Sequence, residues 1–246
     1  MFNGFLPGSW IFLLLAAWAG LLFGGLIFGK LNPDQTHRMP TWTRMASSFV
    51  LVILGWFYFF NPVRHGFNSV SLLIAIGMTF GFVGDLFMAE LFPLKNHVLG
   101  GIGSFALGHI AYVVALVKYG NESGLNSSTA RWGSLVVLWL IGLVCWYWVV
   151  FRGQKPSVLH WAALPYTLLL SGTAGLAVGL AIQSAVFIPL AIGAILFLLS
   201  DLLLAAQLFN GLHFKMIGDV VWLLYGPGQM LIVCAVGTAI GWTSSG

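Results

Sequence analysis

The chain has 246 residues, of which 59% are hydrophobic and only 7% charged, against roughly 25% charged in a soluble globular domain. That balance excludes a soluble fold, because no single core hides so much apolar surface. The net charge of +4 comes from ten Lys and Arg placed almost wholly between the apolar runs, where they meet lipid headgroups, so the basic balance predicts no nucleic-acid partner.

The apolar runs are about 20 residues long, each enough to cross a hydrocarbon core of roughly 30 Å. In chain order they predict helices at 9–29, 42–60, 69–91, 98–118, 132–151, 158–181, 186–208 and 217–242. No basic segment precedes the first run and no small-residue cleavage pattern stands before Lys30, so it reads as a retained helix and not a signal peptide. Asn32-Pro33-Asp34, Asn61-Pro62 and the polar stretch 120–129 punctuate the joins. The expected fold class is an all-α membrane protein, an eight-helix transmembrane bundle forming one domain over residues 1–246. Eight crossings leave both termini on one side. Lys30, Arg38, Arg44, Lys95, Arg152, Lys155 and Lys215 fall on one face, against Arg64, Lys118 and Arg131 on the other. The excess of basic residues marks the cytoplasmic side, which makes both termini non-cytoplasmic. The expected location is integral and multi-pass, in a bacterial inner membrane.

Helix three aligns with helix seven at a shift of 116 residues: Ala75-Ile76-Gly77 falls on Ala191-Ile192-Gly193, and Asp85-Leu86 with Ala89 on Asp201-Leu202 with Ala205. The same shift lays helix two on six, helix four on the start of eight, and helix one approximately on five. A duplication of four helices, about 9–118 and 132–242, is expected, with both halves in the same orientation.

An ionised carboxylate in hydrocarbon costs several kcal/mol, so an acid within a span marks a site. Asp85 and Asp201 are such acids, each about 16 residues into an inward-running helix and roughly 10 Å from its cytoplasmic end at 1.5 Å per residue. They are expected to face one another across a single cavity. The competing reading is two unrelated polar residues that hydrogen-bond neighbouring helices. His109 and Tyr112 share a face of helix four that would meet Asp85, with Gly101, Ser104 and Gly108 permitting close packing on that side. Tyr225 and Gln229 share a face of helix eight, on either side of Gly226-Pro227-Gly228. There the proline either frees backbone carbonyls to line a cavity or merely kinks the helix. His160 begins helix six, within reach of a headgroup. His37, His65, His97 and His213 read as loop residues, and Glu90 and Asp219 as solvated boundary acids. Cys145 and Cys234 read as inert packing residues. No Cys/His or HExxH spacing indicates a metal, no GxSxG elbow a serine hydrolase, and no cofactor is expected.

The motifs Gly84-Asp85-Leu86-Phe87-Met88, Gly108-His109-Ile110-Ala111-Tyr112, Phe197-Leu198-Leu199-Ser200-Asp201 and Tyr225-Gly226-Pro227-Gly228-Gln229 resemble, in order and spacing, the YhhN family of membrane proteins, the lysoplasmalogenases. The resemblance runs from about helix two onward. It departs at Gly81, where the family usually has Ser, and at the distorted Gly-Pro-Gly segment. It implies hydrolysis of the vinyl ether bond of a lysophospholipid substrate, giving a fatty aldehyde and glycerophosphoethanolamine or glycerophosphocholine. One of Asp85 and Asp201 would then deliver a proton and the other stabilise the cation or act as base. His109 would tune a proton or orient water, while Tyr112, Tyr225, Gln229 and His160 would contact substrate. The partners expected are that substrate and the surrounding membrane lipids. Parallel repeats, intramembrane acids, a His and a proline-broken helix would also suit a proton-coupled transporter of a small solute, and a non-enzymatic lipid-binding protein is a third class.

Overall fold

The computed structural model describes residues 7–61, 67–93 and 95–242, so Pro62, Arg64 and His65 lie outside the described residues. The described chain is all helix and turn: α1 (Pro7–Phe28), α2 (Thr41–Phe60), α3 (Asn68–Met88), α4 (His97–Glu122), α5 (Ser128–Cys145), α6 (Val158–Gln183), α7 (Ile188–Asn210) and α8 (Ile217–Trp242). α5 runs on into a π-helical turn at Trp146–Phe151, and a 3-10 turn at Ala185–Phe187 leads into α7. Eight of these segments are long and apolar enough to cross a membrane. The protein is an integral, multi-pass helical membrane protein.

Local chemistry sets the helix ends. The Ser127 side chain caps α5 by accepting from the Ala130 N–H, and Ser157 forms a capping box with His160 at the start of α6. Gly211, with φ of 64°, closes α7 in the left-handed conformation that glycine takes without strain. α3 stops earlier than its apolar run suggests, because Glu90 adopts a positive φ of 58° and Pro93 follows. Asp85 therefore sits in the last turn of α3, whereas more than two turns of α7 follow Asp201. The equal offset expected from sequence does not hold. His97 is the first residue of α4, not a loop residue.

α1 pairs with α2 and α5 with α6, α3 packs along α4 and α7 along α8, and the halves meet through α4 on α6 and α8 on α2 and α3. α1 and α5 are peripheral, with 17% of their spanning residues buried against 61% in α8. Outward faces carry Phe12, Trp42, Phe60, Leu140 and Trp148, all exposed as a lipid-facing surface requires.

Small residues bring the inner helices close. A Cβ on Gly193 would lie 2.8 Å from the Gly228 carbonyl oxygen, and one on Gly228 would lie 2.9 Å from the Gly193 carbonyl oxygen. α8 remains continuous through Pro227, so these glycines serve close approach to α7. On the α3–α4 seam, a Cβ on Gly108 would stand 2.9 Å from the Gly77 carbonyl oxygen, and the Ser104 hydroxyl donates to the Phe80 carbonyl at 2.7 Å. Gly193→Ala is expected to cost about 1–3 kcal/mol by overpacking, since the obstacle is backbone. Gly103→Ala, with nothing within 4 Å of the new methyl, is the matched control. Equal melting temperatures of the two variants in detergent would refute this account of the seam.

Asp219 is not the solvated acid its position in the sequence suggests. It is buried, and its two oxygens accept from the backbone N–H groups of Arg38 at 2.6 Å and Met39 at 3.0 Å. The Met216 and Gly218 N–H groups donate to the Gln35 and Thr36 carbonyls. The α1–α2 connection is thereby fastened to the start of α8, and it forms one wall of the cavity described next.

Candidate active site

Asp85 and Asp201 line one cavity of about 190 Å³ near the end of the bundle that carries the α1–α2 connection. Thr36, His37, Arg44, Ser200, Gln207 and Tyr225 add to its polar wall, with Trp222 beside them, and Met88, Phe105 and Leu204 belong to its apolar one. On the other side of Met88, Phe105, Asp201 and Leu204 lies a second cavity of about 160 Å³, whose remaining lining is almost wholly apolar. α4, α5 with its π-helical turn, α6 and α7 supply that lining, including Ile102, Trp146, Ala163 and Ala205. Asp201 thus stands on the partition between a polar chamber and an apolar one.

Each carboxylate receives a hydroxyl from the helix preceding its own. Ser48 on α2 donates to Asp85 Oδ2 at 2.5 Å, and Tyr166 on α6 donates to Asp201 Oδ2. Asp85 Oδ2 also accepts from the Tyr225 hydroxyl at 3.0 Å, while the Ser200 hydroxyl reaches Asp201 Oδ1 at 3.2 Å. Behind Tyr225 the line continues inward. Gln229 Nε2 donates to the Tyr225 oxygen at 3.3 Å, and the Tyr112 hydroxyl donates to Gln229 Oε1 at 2.9 Å. Every donor in this sequence points toward Asp85, so the bonds polarise one another in a single direction. Burial of Tyr112 and Gln229, each 1% exposed, closes the line at its inner end.

Tyr225 alone among the sequence-predicted contact residues both lines the polar cavity and touches an aspartate. Tyr112 and Gln229 act one and two bonds further back. His109 lines neither cavity: its Nδ1 pairs with the Thr173 hydroxyl at 2.9 Å, and its ring lies among Phe197, Tyr112 and Tyr166. Its connection to Asp201 runs through the Tyr166 ring. His160 accepts at Nδ1 from the Ser157 N–H at 3.2 Å and packs its ring on Phe209, a residue of the apolar chamber. Among the described residues no three His, Cys, Asp or Glu side chains come together as metal ligands.

Sequence reasoning missed Ser48, Tyr166, Arg44, His37 and Trp222. Tyr166 was within reach of it, since laying α2 on α6 at the shift of 116 places Tyr166 on Val50, within one turn of Ser48. Gly81 bears on the same network. A Cβ there would stand 2.8 Å from Gln229 Nε2 and 3.6 Å from the Tyr225 hydroxyl, so the missing side chain makes room for the Gln229–Tyr225 pair. Gly81→Val is expected to displace Gln229 and lower activity about tenfold or more, as loss of an oriented buried network does. Gly81→Ser, whose hydroxyl can rejoin the network, should retain more. Equal activity of both variants would remove this role from Gly81.

The class the fold and site define is a polytopic helical membrane protein with two carboxyl groups on the wall of one chamber, adjoining an apolar chamber. The model of the YhhN family matches residues 39–236, and the chain belongs to that family. It matches no curated protein and no solved structure.

Proposed function

We propose that the protein is a lysoplasmalogenase-like hydrolase, cleaving the vinyl ether bond of a lysoplasmalogen to a fatty aldehyde and a glycerophospho-alcohol. The observation that carries this reading is the position of Asp201 on the partition between a polar and an apolar chamber, with Asp85 facing the polar one. A lysolipid has that same division, and its vinyl ether lies where headgroup and chain join. With the chain in the apolar chamber and the glycerophospho group in the polar one, the reacting carbons come to Asp201 and Asp85.

The chemistry divides between the two acids. Oδ2 of Asp85 is held by Ser48 and Tyr225, which leaves Oδ1 to carry a proton to the β-carbon of the vinyl ether. The electron pair of the double bond forms the new C–H bond, and the α-carbon and ether oxygen share the resulting positive charge. Asp201, whose Oδ2 accepts from the Tyr166 hydroxyl, supplies the opposing negative charge and accepts a proton from the attacking water. In the collapse of the hemiacetal the carbon–oxygen bond to the glyceryl group breaks, the proton held by Asp201 passes to the leaving oxygen, and the hemiacetal hydroxyl proton returns to Asp85. This gives aldehyde and alcohol, restores both acids and consumes one water overall. A transported solute, by contrast, needs a polar route to the far side of the bundle, and inward of Asp85 the way is filled by buried Tyr225, Gln229 and Tyr112.

The testing experiment is aldehyde release by purified protein from 1-alkenyl lysophospholipid, with the 1-acyl ester analogue as comparison. Release from the first alone is expected; hydrolysis of the ester, or of neither, overturns the reading. The excess of basic residues in the loops on the side of the cavity supports a reading in which that side faces the cytoplasm of a bacterial inner membrane and both termini lie outside. Cysteines introduced beside Lys95 and Lys155 should resist impermeant labelling of intact cells, and ready labelling from outside would invert the orientation.

A further inference from the structure

Arg44 is the charged residue of the polar chamber that the reaction above does not use. Its Nη2 donates to the Thr41 hydroxyl at 3.1 Å, and its guanidinium lies 5.7 Å from the centre of the Trp222 ring. Nε is buried and, among the described residues, has no hydrogen-bond partner. Asp219 and Asp85 act on its charge from nearby, but among the described residues neither hydrogen-bonds it. Asp219 takes the Arg38 and Met39 N–H groups, and Asp85 takes the Ser48 and Tyr225 hydroxyls. A guanidinium withdrawn from water ordinarily pairs with a carboxylate or a phosphate, whose geometry its fork of donors matches.

From this cation on the wall of the polar chamber, whose Nε lacks a partner among the described residues, we infer that Arg44 binds the phosphate group of the substrate headgroup, with Trp222 holding the guanidinium in place. His37, on the same wall, does not compete for the role. Burial first, and the Arg44 charge second, hold its imidazole below the ordinary range, which leaves it neutral near pH 7. Its Nδ1 is paired with the Thr36 hydroxyl at 3.1 Å. The arrangement gives the chamber a direction: phosphate at Arg44 on the α2–α8 side, chain beyond Asp201 on the α6–α7 side, and the vinyl ether between. It would therefore select lysophospholipids over uncharged glycerol ethers. The inference deepens the lysolipid reading and rests on it for the identity of the lipid; the phosphate contact itself is tested without turnover.

Binding of saturated 1-O-alkyl lysophospholipid, which lacks the vinyl ether, is compared with that of 1-O-alkylglycerol of the same chain, using purified protein in detergent. The wild type should favour the phosphate-bearing lipid by about 10- to 100-fold, the range expected of a charge-assisted hydrogen bond. Arg44→Gln should lose that preference and Arg44→Lys keep part of it, with melting temperatures recorded to confirm folding. Glycerol 3-phosphate and inorganic phosphate form separate arms. Protection by the lysolipid with little from inorganic phosphate identifies a headgroup site, and equal protection by both identifies a free-phosphate site, which overturns the headgroup assignment. A wild type without preference, or a folded Arg44→Gln protein that retains it, overturns the inference. Arg44-dependent binding without aldehyde release would leave the phosphate site standing and sink the hydrolase reading alone.

Discussion

Asp85→Asn and Asp201→Asn should each leave a folded protein whose aldehyde release is lower by about 10²–10⁴-fold, the usual worth of a positioned general acid or base. Asn keeps the shape of Asp and can still accept the hydroxyls of Ser48 and Tyr225, or of Tyr166, so the packing around each position survives. What it loses differs. At Asp85 the amide has no acidic proton for carbon. At Asp201 it offers no negative charge to the oxocarbenium ion and no base for water. In the proposed reaction both act on one transition state, so the double variant should be little worse than the poorer single one. A solvent deuterium effect separates the roles: where proton transfer to carbon limits the rate, the wild type slows in D₂O, and the residual activity of Asp201→Asn should show the same slowing. Near-normal release by either folded variant would return that aspartate to a purely structural role.

The eight spans were legible because a membrane removes the ambiguity of short apolar segments: backbone polar groups must be satisfied within each segment, so a run of sufficient length is a helix. Ends were less legible. They depend on single residues such as Glu90 at positive φ, which cut α3 short of its apolar run, and on Trp146–Phe151, where the helix widens into a π turn without any break in hydropathy. At the site, the two aspartates, Tyr225 and the Tyr225–Gln229 face could be read because a polar atom in an apolar run is a rare event. Their hydroxyl partners were less legible, although the shift of 116 brings Tyr166 within one turn of Ser48. Ser48 and Tyr166 are unremarkable within helices α2 and α6, and only the packing of α2 on α3 and α6 on α7 turns them toward the acids. Arg44 shows the same limit from the other side: its place near a helix start made it one more loop cation, yet it lines the chamber. His109, prominent in sequence, spends its resolved hydrogen bond on Thr173 in a packed aromatic cluster. Asp219, assigned to solvent by its nearness to a boundary, is the acceptor that fastens a loop.

The apolar chamber gives the second large effect. Ala205 lines it one turn beyond Asp201 on α7, on the wall facing Trp146 and Val150 of the π-helical turn and Ala163 of α6. Ala205→Phe places a ring in a space of about 160 Å³, displacing several methylenes of any chain bound there. Each buried methylene contributes about 0.8 kcal/mol, so the exclusion of three costs about 2.4 kcal/mol, or about 50-fold in kcat/KM. The cost falls only on chains long enough to reach position 205. Alkenyl lysophospholipids of graded chain length are therefore the measurement, with wild-type specificity rising with length and the variant's reaching a plateau at a shorter chain. Substrates that end before the new ring should be turned over nearly as well as by the wild type, because Asp85, Asp201, Ser48 and Tyr225 are untouched. A uniform loss at every chain length would mean that the ring disturbs Asp201 and that the alkenyl chain lies elsewhere. A specificity curve identical to that of the wild type would mean that no chain enters this chamber during the reaction, and would take with it the placement of the vinyl ether beside Asp201.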